Sequence, residues 1–146
     1  MKTQYQTRID PRYGNCLQTC VACLFDLAVD DVPAFMSDGN DAGTWYEKWR
    51  NWVDGRGYDL AARNWRSFPM DANTYYIVQG KSPRGEYDHL VIYKGDQPYW
   101  DVHPSGAFLD GEPKFGYVMT PKRAEQAVTA ADGHESTSGT REPRRI

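Results

Sequence analysis

The 146-residue chain has only three cysteines, an odd number that cannot close into a complete internal disulfide framework. It has no apolar run near the roughly 20 residues that a membrane helix needs. Its first residues, Met1-Lys2-Thr3-Gln4-Tyr5-Gln6, lack the apolar core of a secretory signal. Basic residues are not in excess either. With 17 Lys and Arg against 20 Asp and Glu, the net charge of -3 speaks against a nucleic-acid surface. No Gly-x-Ser-x-Gly elbow, no complete Gly-x-x-x-x-Gly-Lys-Ser/Thr phosphate loop and no internal repeat occur. The expectation is one ordinary domain in a reducing cytoplasm, with no membrane and no nucleic-acid partner. Nothing in the pattern fixes an oligomeric state.

What is present is aromatic: 14% of residues, including five Trp and ten Tyr. Trp45, Trp49 and Trp52 recur at helical spacing, which reads as a core stripe. The most informative stretch is Tyr13-Gly14-Asn15-Cys16-Leu17-Gln18-Thr19-Cys20, a turn running into an apolar helix. Asn15 is a favourable N-cap, and Leu17, Val21, Leu24 and Leu27 recur at helical spacing. The first turn of a helix offers unpaired N–H groups and the positive end of the dipole, which favour a thiolate. Cys16 falls there. Cys20 and Cys23 fall deeper in the helix, gain little from the dipole, and read as small buried hydrophobes. Three thiols on one helix are a strained set of ligands for a single ion, so no metal or other cofactor is expected.

Residues up to Tyr13 read as an extended arm, followed by the cysteine helix to about Leu27. Asp30-Asp31-Val32-Pro33 starts a short helix. Thr44-Trp45-Tyr46-Glu47 reads as a capping box opening a third helix to about Asp54, ended by Gly55 and Gly57. Strands are expected at Tyr58 to Ala61, Thr74 to Gln79, His89 to Tyr93, Pro98 to His103 and Gly116 to Met119. Helices first and a meandering antiparallel sheet second define an α+β domain over residues 1–123. Residues 124–146 have almost nothing to bury and read as a disordered tail holding His134. Asp38-Gly39-Asn40-Asp41-Ala42-Gly43 faintly suggests a calcium loop, but the position for its closing glutamate holds Trp49.

His89 opens the apolar run Leu90-Val91-Ile92-Tyr93, and Asp101 sits inside Tyr99-Trp100-Asp101-Val102-His103. A thiol on a helix start, then an imidazole and a carboxylate on later strands, is the layout of a nucleophile with its base and orienter. His103 is a rival base. Whether Asp101 shares a face with His89 depends on one residue of register. A three-residue loop at Gly95-Asp96-Gln97 sets Val91 opposite Asp101 and joins the two; a two-residue loop at Asp96-Gln97 spoils the match. Lys81-Ser82-Pro83-Arg84-Gly85 reads as a solvated loop leading to His89, with Arg84 a candidate for a substrate carboxylate.

Gly14-Asn15-Cys16 with its helix, His89 heading its strand, and Asp101 together resemble the papain-like cysteine peptidase superfamily, most closely small bacterial and phage proteins like double-glycine leader peptidases. The likeness spans roughly residues 10 to 120. It implies a papain-like α+β fold, with N-terminal helices on an antiparallel sheet. It also implies a catalytic triad in which Cys16 attacks a carbonyl carbon, His89 shuttles the proton and Asp101 orients the ring. The implied substrate is a peptide or acyl-amide, and no cofactor is required. The family commonly places an oxyanion-binding Gln about six residues before the nucleophile, and this sequence has Asp10 there. Gln6, Asn15 and Gln18 are the candidate replacements, with Gln6 preferred. A catalytically silent papain-like binding or inhibitor protein and an acyltransferase remain alternatives.

Overall fold

The computed structural model describes residues 1–9, 14–36, 42–68 and 70–122. Helix α1 covers Cys16–Phe25 and α2 covers Ala42–Gly55; the strands are β1 (Tyr58–Asn64), β2 (Tyr75–Lys81), β3 (Asp88–Lys94), β4 (Gln97–Trp100) and β5 (Phe115–Pro121). Between α1 and α2 the expected short helix is a 3₁₀ turn at Val29–Asp31. The two helices pack on a five-stranded antiparallel sheet, so the α+β expectation holds. The strand order β1-β5-β2-β3-β4 corrects the simple meander. The last strand returns to the middle and pairs with both β1 and β2, a long-range choice that no local pattern announces.

Apolar residues of α1 (Leu17, Val21, Leu24) and of α2 (Trp45, Trp49, Val53) share one buried core with Ile77, Leu90, Ile92 and Tyr117. The tryptophan stripe is core, as expected: Trp49 is fully buried and its ring stands 4.9 Å from that of Tyr117. The other face of the sheet has its own cluster of Phe68, Tyr76, Val78, Val91 and Tyr93. Covered on both faces, β3 has no solvent side, which explains its unbroken apolar run.

Two local expectations need correction. Helix α2 begins at Ala42, so Thr44 lies inside its first turn instead of capping it. Asn15 precedes α1 but makes no side-chain cap. Its side chain faces the arm instead: Oδ1 accepts from Thr7 N at 3.2 Å and Arg8 N at 2.9 Å, and Nδ2 donates to Thr7 Oγ1 at 2.8 Å. At its far end α1 stops at Asp26, which takes a left-handed φ of 57° while Leu27 N donates to Ala22 O at 2.9 Å.

The arm is tied down along its length. Gln4 O accepts from Trp100 Nε1 at 2.8 Å and from Cys23 Sγ at 3.9 Å, and Gln6 N donates to Val102 O at 2.8 Å. It therefore bridges α1 to the chain leaving β4. Asp10, Tyr13, the Asp38–Asp41 part of the calcium-like loop, His134 and the expected tail 124–146 lie outside the described residues.

Candidate active site

The β3–β4 connection decides the site. Lys94 pairs with Gln97 and Tyr93 with Pro98, so the turn is two residues, Gly95-Asp96, unlike either loop expected. Gly95 has φ 60°, and a Cβ there would sit 2.9 Å from Ala72 Cα. Continued without a break, this register would set Leu90 across from Asp101, on the opposite side of β3 from His89. The pairing instead jumps to Ile92 with Trp100, leaving Tyr99 as an extra, bulged residue. The bulge moves the register by one and turns Asp101 back towards His89.

His89 Nε2 stands 2.8 Å from Asp101 Oδ1, with both residues buried. The Cys16 thiol lies close enough to the ring to favour its charged form. The structure thus brings Cys16, His89 and Asp101 close together, with the imidazole bonded to the carboxylate. Burial opposes charge on the His89 ring, but the Asp101 hydrogen bond and the contact with Cys16 outweigh it and push its pKa up to about 9. Asp101 is also buried, which by itself disfavours its charge. The bond to His89 and the backbone N–H groups of His103 and Phe108 nonetheless hold it below the ordinary carboxylate range.

Those two amides complete the Asp101 cradle. His103 N donates to Oδ1 at 2.9 Å and Phe108 N to Oδ2 at 2.8 Å. The rival base is thereby placed: His103 lends its backbone to Asp101, while its ring stands edge-on to His89 with centroids 6.2 Å apart. The Phe108 contribution went unseen in the sequence. The only signal was the turn Pro104-Ser105-Gly106 just after Asp101, which bends the chain back over the carboxylate.

The three thiols differ as expected in exposure. Cys16 is half-buried and first in α1, whereas Cys20 and Cys23 are buried. Cys20 Sγ points to Leu90 O at 3.5 Å and Cys23 Sγ to Gln4 O at 3.9 Å, so the sulfurs have separate partners. Burial pushes the Cys20 thiol pKa well up, and burial raises that of Cys23 to about 11. Neither is a nucleophile near neutral pH.

The candidate oxyanion donors are largely engaged elsewhere. Gln18 Nε2 gives one hydrogen to Val29 O at 3.0 Å and one to Val32 O at 2.7 Å. Gln6 Nε2 donates to Arg8 O at 2.8 Å, and its Oε1 is buried with no partner among the described residues. Asn15, as described, holds the arm. A cleft of about 220 Å³ opens between Arg8, Asn15, Leu17, Asp30, Phe35 and Met36, and none of Cys16, His89 and Asp101 lines it.

Among the described residues no group of His, Cys, Asp and Glu is arranged to hold a metal ion, and no helix is long and apolar enough to cross a membrane. In comparisons with known proteins, the chain matches no family model, no curated protein and no solved structure.

Proposed function

We propose that this chain is a papain-like thiol hydrolase that cleaves an amide, isopeptide or ester bond through a Cys16–His89–Asp101 triad. The observation that carries it is the buried His89–Asp101 pair at 2.8 Å, with the Cys16 thiol, first in α1, close enough to the ring to favour its charge. In this reading the sulfur attacks the carbonyl carbon, an S–C bond forms and the C–N or C–O bond breaks. The leaving group takes its proton from the His89 imidazolium. Water then attacks the acyl-thioester, gives a proton to His89 and releases the acid, and the proton returns to sulfur. The backbone N–H of Cys16, in the first helical turn where no intrahelical acceptor exists, supports the oxyanion. No cofactor enters this cycle, and free thiols suit a reducing compartment such as the cytoplasm. If an amine replaces water, the same groups make an acyltransferase.

One observation favours a second reading, a catalytically silent papain-like binding protein. Asn15 and Gln18 point their carboxamides at the arm and at the Val29–Val32 turn, leaving the oxyanion with little side-chain help. The two readings separate on incubation with p-nitrophenyl acetate followed by peptide mass mapping. The hydrolase reading expects an acetyl adduct on Cys16 that forms and turns over, with both steps lost in His89→Ala. An adduct formed at the same rate in His89→Ala would leave only the binding protein.

A further inference from the structure

Beside His89, whose ring stands 6.2 Å from that of His103, two loops meet. Arg84 belongs to the β2–β3 hairpin loop, and its backbone N donates to the fully buried Ser82 Oγ at 3.1 Å. Its Nη1 crosses to the other loop and donates to Ser105 Oγ at 3.1 Å. Ser105 Oγ also accepts from Ala107 N at 3.2 Å, and Ser105 N donates to His103 Nδ1 at 3.0 Å. An acceptor Nδ1 puts the proton of the neutral His103 ring on Nε2. Burial, and then the Arg84 charge, hold that ring below the ordinary histidine range.

The carboxylates nearest in sequence are engaged with lysines. Glu86 and Asp110 bind Lys81 Nζ at 3.5 and 3.4 Å, and Asp88 binds Lys114 Nζ at 2.7 Å. Among the described residues none forms an ion pair with Arg84, although its position is fixed at both ends. Asp101 is no substitute, since it is buried and its oxygens already serve His89, His103 and Phe108. What remains is a half-exposed array of donors: the free guanidinium N–H groups, His103 Nε2–H and the Ser105 hydroxyl hydrogen.

We infer that Arg84, His103 and Ser105 form a recognition site for a carboxylate on the leaving-group half of the substrate. The inference rests on the hydrolase reading for its orientation. The imidazole that protonates the departing amine must stand beside that amine, so a cation in the loops next to that imidazole is set to meet the leaving group. A guanidinium matches a carboxylate with two parallel N–H···O bonds, and here its side chain is already held in place. The carboxylate has two possible sources: the free C-terminus of the leaving amino acid or peptide, or an Asp or Glu side chain within it.

Binding to the Cys16→Ala protein tests this without any turnover, so absence of hydrolysis and absence of the carboxylate site are separate outcomes. Three probes are titrated while the His103 ring and Arg84 side-chain NMR signals are followed: N-acetyl-trialanine, its C-terminal amide, and N-acetyl-Ala-Asp-Ala amide. A carboxylate probe is expected to bind about tenfold more tightly than the uncharged amide, through bidentate pairing with the guanidinium. Arg84→Gln should abolish the difference and Arg84→Lys should retain part of it, with amide spectra showing both variants folded. Preference for the free acid identifies the C-terminal carboxylate, and preference for the Asp peptide identifies a side chain. Equal binding of all three, binding of neither carboxylate probe, or a preference that survives Arg84→Gln would overturn the site.

Discussion

His89 Nε2 and Asp101 Oδ1 face each other at 2.8 Å, and this one pair links the charge state of the site to the stability of the fold. With its pKa raised from 6.5 to about 9, His89 stabilises the folded chain fully below pH 6.5 and loses that contribution as the pH climbs through 9. Asp101 works in the opposite direction: its contribution is present above the ordinary value of 3.8 and is lost as the pH falls below it. The unfolding free energy from denaturant titration should therefore decline between pH 6.5 and about 9, by up to roughly 3 kcal/mol. Asp101→Ala should flatten that decline and lower the His89 titration midpoint seen by NMR. A midpoint unmoved in Asp101→Ala would contradict the pairing.

The bulge at Tyr99 makes a paired prediction. Deleting Tyr99 removes the extra residue while keeping Trp100 across from Ile92, so the raised His89 titration should survive. Inserting one glycine between Trp100 and Asp101 turns the carboxylate to the other side of the strand. The His89 midpoint should then fall, as it does when the carboxylate is removed. The same NMR titration reads both variants, and equal behaviour of the two would refute the register account.

Asn15 should behave as a clamp between arm and helix. Asn15→Ala leaves the Thr7 and Arg8 amides without their acceptor. The expected loss is about 0.5–1.5 kcal/mol of stability per bond, the usual net worth of a hydrogen bond, since Thr7 and Arg8 are exposed. Hydrogen exchange should quicken at Thr7 and Arg8 more than in β2 or β3. Uniform quickening across the sheet would mean that the residue supports the whole core instead.

The sequence carried more of the fold than of the site's construction. Strands were legible because apolar and turn residues alternate locally, as from Tyr58 and from Gly116. Cys16 and His89 stood out because each begins its element. What stayed hidden depends on contacts between distant residues. The insertion of β5 between β1 and β2 is one such contact, and the Phe108 amide behind Asp101 is another. Asn15 has the local signature of a cap, yet the arm eight residues upstream offers it three partners and wins. The bulge escaped for a related reason: a two-residue turn plus one extra residue yields the same Val91–Asp101 alignment as the longer loop, and spacing alone does not separate them.

The central claim is that His89 primes Cys16 and leaves the other two thiols inert. Iodoacetamide labelling at neutral pH, mapped by peptide mass spectrometry, measures it directly. The account predicts that Cys16 is carbamidomethylated first, with Cys20 and Cys23 protected by burial, and that His89→Ala slows Cys16 by about tenfold or more. Similar rates at all three cysteines, or a Cys16 rate indifferent to His89→Ala, would contradict it.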